Sequence, residues 1–208
     1  MRVTKLSVVE LLLLVVMALA GGVIAGESQT NSPTLQLATL REPMVGREPI
    51  LRAYVTSGNK RFTFVVPGGF RLDSSKPGEL LMTSSDFACA ITLRVANLVT
   101  PAKVVTADAF RGLVTSRYAE TQITDEFSMT VADGTGPAYE LQGKTPEGLS
   151  RHARVGFVPA GGQLLEFSLV ANPEKFSTFL GDLQSIILTF RVSDAEGKPD
   201  IAVLSDRI

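Results

Sequence analysis

A single cysteine, a single histidine and no tryptophan among 208 residues exclude several kinds of chemistry at the outset. One thiol, Cys89, cannot form an internal disulfide, so burial alone must hold the fold. A zinc site draws on several His or Cys ligands, and His152 and Cys89 have no second His or thiolate cluster beside them. There is no Gly-x-Ser-x-Gly elbow for a nucleophilic serine, and no acidic run of the kind that holds calcium. The glycines at 134–136 and 161–162 stand before strand-like segments, which makes them hairpin turns and not phosphate cradles. Charge of one sign is also missing. Lys and Arg number 20 against 21 Asp and Glu, so neither nucleic acid nor an anionic membrane surface is an expected partner. No cofactor and no metal are expected.

What is present begins with an address. Arg2 and Lys5 precede an apolar run from Leu11 to Ala25, and Val23-Ile-Ala25 offers small residues at the −3 and −1 positions of a cleavage before Gly26. A membrane span needs about 20 apolar residues, more than this run supplies. Residues 1–25 therefore read as a cleaved signal peptide in preference to a retained anchor, and the chain as exported, periplasmic or extracellular. Membrane contact is expected only through this segment, if it is kept. No cysteine ends the apolar run, so the usual acceptor of lipoprotein acylation is missing.

Residues 26–59 read as a flexible linker. Gln29 to Ser32 are polar, and Pro33, Pro43 and Pro49 interrupt regular structure. Within it, Ile50–Val55 is a candidate short strand. The globular domain is expected over 60–192 and a polar tail over 193–208. Phe62, Phe64 and Val66 recur at period two, as do Cys89, Ile91, Leu93 and Val95. Thr106 is placed to cap a helix carrying Phe110, Leu113, Val114 and Tyr118 on one stripe. Four alternating segments follow, around Phe127–Val131, Tyr139–Leu141, Arg151–Phe157 and Leu165–Leu169, with short turns between them that favour antiparallel hairpins.

The strongest single signal comes last. Phe176, Phe179, Leu180, Leu183, Ile186, Ile187 and Phe190 fall on one side of a 3.6-residue helix. Asn172 and Pro173 stand where a cap and a first helical residue belong. Strands, helix, four-strand meander and helix in that order predict an α+β domain: an antiparallel β-sheet flanked by two main helices.

Phe62-Thr-Phe-Val-Val-Pro-Gly-Gly-Phe70 resembles the opening strand and turn of the PsbP-like superfamily, which includes PsbP of photosystem II and the bacterial DcrB-type exported proteins. The likeness continues through the helix at 106–118 and the glycine-proline entry to the meander at 134–137. It ends in Ile187-Leu-Thr-Phe190, similar to the close of the family's last helix. Phe70 stands where many members carry Trp, and the basic extension that some photosynthetic members use for docking is not identifiable. The resemblance implies an α/β/α sandwich and a role in binding or assembly in place of catalysis.

The residue-level candidates are few. His152, Ser150 and Arg154 share the polar face of one strand and are the only set that a small-ligand or hydrolytic site could use. A lone titratable group needs partners to be tuned for catalysis, so the ordinary reading is a solvated strand face. Cys89 shares its face with Ile91, Leu93 and Val95, which points to a buried, inert thiol. The expected function is a non-catalytic exported domain that binds an envelope protein or assists assembly at the outer face of a membrane. The alternative is a small-ligand carrier or hydrolase with a pocket between sheet and helix.

Overall fold

Period-two alternation from Thr121 to Ala171 produces a meander of four long strands, and every other element is arranged about it. The computed structural model describes residues 33–97, 107–118, 120–144 and 148–195. The signal peptide expected at 1–25, the cap expected at Thr106 and the tail from 196 onward lie outside the described residues.

The strands are β1 (Leu35–Met44), β2 (Arg47–Ser57), β3 (Lys60–Val66), β4 (Phe70–Asp73), β5 (Glu79–Ser84), β6 (Cys89–Asn97), β7 (Thr121–Val131), β8 (Gly134–Lys144), β9 (Ser150–Ala160), β10 (Gln163–Ala171) and β11 (Arg191–Asp194). The helices are α1 (Ala107–Arg117) and α2 (Phe176–Thr189), and a 3-10 turn over Pro173–Lys175 leads into α2. All pairings are antiparallel. The larger sheet has the order β4-β5-β6-β10-β9-β8-β7, and a second sheet has the order β1-β2-β3-β11.

Alternate residues of the larger sheet enter different cores, as the pleat requires. Tyr139, Leu141, Ala153, Val155 and Phe157 pack with Phe110, Val114 and Tyr118 of the α1 segment. Ala138, Val158, Leu165, Phe167 and Leu169 face the other way, toward α2 and the smaller sheet. Phe190, just past α2, is the joint of that second core. Its ring lies 5.7 Å from both Phe62 and Phe64 of the smaller sheet and 5.3 Å from Phe167 of the larger. At one point β8 and β9 approach so closely that a Cβ on Gly134 or Gly136 would overlap the carbonyl oxygens of Pro159 or Phe157.

The α2 stripe buries Phe176, Phe179, Leu183 and Ile186 as its periodicity predicts. Its start differs. Pro173–Lys175 take a tighter 3-10 turn, and the Asn172 side chain makes no capping bond; the Asn172 backbone N–H donates to the Ala88 carbonyl.

Two expected boundaries are corrected. Residues 35–57, read as linker apart from the candidate strand Ile50–Val55, form the long hairpin β1–β2, which contains that strand, with Leu35, Ala53 and Val55 in the core. The prolines do not prevent this, because β3 pairs with β2 only from Leu51 onward, so Pro43 and Pro49 stand where the hairpin runs beyond the sheet. The tail read from 193 begins two residues into β11, which pairs with β3 despite its polar sequence. In place of one sheet between two helices, the fold is mostly antiparallel β-structure in two sheets, with one helix in each core.

Candidate functional site

Two groups of charged side chains are turned inward and matched with one another. The first joins the C-terminal end of α1 to the larger sheet. Arg94 Nε donates to Glu79 Oε2 at 2.9 Å and Arg94 Nη1 to Glu166 Oε1 at 2.9 Å, while Arg117 donates to both oxygens of Glu166. Glu79 and Glu166 are buried. Burial alone would lower Arg94, but Glu166 and then Glu79 hold it above its ordinary value. Tyr118, buried beside this group, has its phenol pushed up by desolvation, with the charge of Glu166 acting the same way. Such a closed set fixes α1 on the sheet.

The second group holds two of the three sequence candidates. His152 Nε2 lies 2.8 Å from Glu140 Oε1, and Arg154 donates to Glu140 Oε2. The His152 ring stacks on Phe176 at 3.6 Å between centroids, and the Arg154 guanidinium lies over Phe127. Burial alone would raise Glu140, but Arg154 and then His152 hold its carboxyl below the usual value. Ser150 is exposed at the start of β9, opposite Lys144, and does not join them. His152 and Arg154 are thus tied to the sheet and to α2. Cys89 is buried, and desolvation raises its thiol far above the reactive range.

A cleft of about 540 Å³ lies elsewhere, at the ends of the sheets. Lys60, Ala132, Asp133, Gly161, Arg191, Val192, Ser193 and Asp194 line it. Lys60 and Asp194 pair at 2.6 Å, and Arg191 Nη1 donates to the Leu188 and Phe190 carbonyls at the end of α2. Among the described residues, no group of three or more His, Cys, Asp and Glu is placed to hold a metal ion, and no helix is long and apolar enough to cross a membrane.

The surface of the smaller sheet is of another kind. Its inner face sends Ala53, Val55, Phe62 and Phe64 into the core. Its outer face carries Ala38 opposite Tyr54, Leu40 opposite Arg52, and Tyr54 opposite Thr63, with Ile50 and Val65 on the same side. All of these are only half-buried. Glu42 and Arg52 cross that face as a two-pronged ion pair, Nε to Oε1 at 2.6 Å and Nη2 to Oε2 at 2.9 Å. The bond from Arg52 holds Glu42 below its ordinary value. Beyond Leu51 the hairpin runs on as an arm that, among the described residues, pairs only with itself, and its tip exposes Met44 at 42% and Val45 completely.

This arm is the feature that the reading of residue types missed. A signal for it exists: Arg41-Glu-Pro-Met44 and Arg47-Glu-Pro-Ile50 repeat one pattern on the two sides of Val45-Gly46. A polar-apolar repeat about a glycine is the layout of a hairpin with a turn at its centre.

No family model matches the chain, and a search of curated proteins finds no match. Solved structures do match. Cyanobacterial PsbP from Synechocystis is 12% identical with a TM-score of 0.46, over 82% of this chain and 99% of that one. LpqN of Mycobacterium tuberculosis, described as involved in cell envelope biogenesis, is 15% identical with a TM-score of 0.46, over 76% of this chain and 91% of that one. A Pseudomonas aeruginosa protein, PA94, is 10% identical with a TM-score of 0.39, over 59% and 85%. These identities and scores carry no residue role from one protein to another. The chain is similar to these structures at low identity.

Proposed function

We propose that this chain is an exported, non-catalytic domain that binds an envelope protein or assists assembly at the outer face of a membrane, through the smaller sheet and its arm. The observation that carries this reading is the outer face of β1–β3 with the projecting tip Met44-Val45: an exposed mixed surface around a neutralised ion pair. It is supported by the inward matching of the charged groups, which ties Glu140, His152 and Arg154 into the fold. The basic start and short apolar run of the sequence support export. The cleft beside Lys60 and Asp133, where a small ligand could sit, is lined by none of His152, Ser150 and Arg154.

Affinity capture from extract of the cell's own envelope, with the full tagged chain and two variants, tests the proposal. Val45→Asp places a charge at the tip and is expected to reduce retention of the partner about tenfold or more, the loss of one central anchor. His152→Ala is expected to retain it as the wild type does. Equal retention by wild type and Val45→Asp, with loss in His152→Ala, would move the site to the Glu140 group and sink the proposal.

A further inference from the structure

Every residue of β11, from Arg191 to Asp194, lines the cleft at the ends of the sheets. Val192 pairs with Phe62, so Val192 and Asp194 lie on the inner face of the smaller sheet, while Arg191 and Ser193 lie on its outer face. A cleft lined by both sets runs along the edge of the strand and not across one face. Its far wall is Ala132, Asp133 and Gly161, from the turns that join β7 to β8 and β9 to β10. Among the described residues β11 pairs only with β3. The Ala195 N–H points to β3 and donates to the Asn59 carbonyl. Successive strand residues turn their backbone groups to opposite sides, so Asp194 and Val192 direct N–H and C=O into the cleft.

We propose that residues 200–204 of this chain, Asp-Ile-Ala-Val-Leu, occupy the cleft as a further antiparallel strand beside β11, so that the chain's own tail closes the smaller sheet. Three observations select this occupant. Asp194 lines the cleft, so residues 196–208 start beside it and meet it at the high effective concentration of a short tether. Glu196-Gly-Lys-Pro199 has the length and the turn residues of a hairpin loop. Ile201-Ala-Val-Leu204 then follows as an uninterrupted apolar run with no charge. The loop also sets the register. With Ala195 opposite Asp200, Asp194 falls opposite Ile201, Ser193 opposite Ala202 and Val192 opposite Val203. Ile201 and Val203 then share the inner side with Val192 and face Ala132 and Gly161 across the cleft. Val192 is only half-buried, and Val203 would cover it. Pro199 stays in the loop, where its missing N–H breaks no ladder bond. An extended peptide or a ligand reaches the β11 edge only by displacing this strand.

Disulfide scanning in the full-length chain tests the pairing, because Cys89 is buried and supplies no competing thiol. Ser193→Cys, at an exposed position, is combined in turn with Ile201→Cys, Ala202→Cys and Val203→Cys under mild oxidation at low protein concentration. Ser193 and Ala202 form a non-hydrogen-bonded pair in this register, and its Cα separation of about 4.5 Å suits a disulfide. The expected result is loss of two alkylatable thiols within the monomer, about fivefold faster or more with Ala202→Cys than with either neighbour, whose side chains take the other face. Similar rates at all three positions, the fastest bridge at 201 or 203, or no bridge at all would overturn the proposal. A second variant removes the strand without touching β11. Ile201→Asp with Val203→Asp should speed amide exchange at Val192 and Asp194 about tenfold or more and leave residues 138–156 unchanged. Unchanged exchange at Val192 and Asp194 would also overturn it. β11 is the edge of the smaller sheet opposite β1 and the arm, so failure here leaves the Val45→Asp capture result unaffected.

Discussion

Phe190→Ala should lower the stability of the domain by about 4 kcal/mol, within the range for emptying a buried aromatic site. Phe190 is fully buried, and its ring touches Phe62 and Phe64 of one sheet and Phe167 of the other. Among the described residues it holds rings from both sheets together. The cavity cannot close by moving a loop, because its walls are paired strands and the last turn of α2. The Thr189 hydroxyl fixes that turn further: it donates to the Ser185 carbonyl and accepts from the Val65 N–H. For a domain of this size the change corresponds to a fall in Tm on the order of 10 °C. Chemical denaturation with tryptophan-free detection, such as circular dichroism, would measure it. A loss below about 1 kcal/mol would mean that the two sheets are held elsewhere.

Glu166→Leu comes next in size. Glu166 is buried and accepts from two arginines. Arg94 retains Glu79 as a second partner, whereas the Arg117 contacts with Glu166 are the ones that tie α1 to β10. Removing one member of a buried pair leaves the other charged, desolvated and unmatched, at a cost of about 3–5 kcal/mol. The partial exposure of Arg117 puts the expectation near the lower end, about 3 kcal/mol. The double variant Glu166→Leu/Arg117→Leu should recover most of that loss, since replacing both ions by apolar groups removes the unmatched charge. A double variant as unstable as the single one would contradict the account of how α1 is held.

The sequence was most legible where one face alone is buried. Phe176 to Phe190 read as a helix because their period leaves a polar back, and β7 reads as a strand because Phe127, Met129 and Val131 alternate with polar neighbours. β1 and the start of β2 read as linker for the opposite reason, and only Ile50–Val55 stands out as a candidate strand. Leu40, Ile50 and Tyr54 on the outer face are as apolar as Leu37, Leu51 and Val55 on the inner one, so the alternation has no contrast. The two prolines then weigh toward loop, and only the pairing register reveals that they lie past the end of β3. β11 is too short and too polar to signal anything locally; Lys60–Asp194 and its ladder with β3 hold it.

The charged groups divide in the same way. Glu140 as the partner of Arg154 follows from counting back along the β8–β9 hairpin, so a hairpin reading carries it implicitly. Glu79, Arg94, Arg117 and Glu166 come from four separate elements, and no spacing in the chain brings them together before the sheet order is known. His152 drew attention as the only histidine, yet its ring is occupied by Phe176 and its nitrogen by Glu140. The arm tip drew none, because Met44 and Val45 look ordinary until their exposure is seen.

The most direct test of the account is amide hydrogen exchange on the full chain, with and without its envelope extract, read out by peptide mass. The account predicts added protection over 36–54, across β1, β2 and the arm, and no change over 138–156. Protection gained over 138–156, with 36–54 unchanged, would contradict it and place recognition at Glu140, His152 and Arg154.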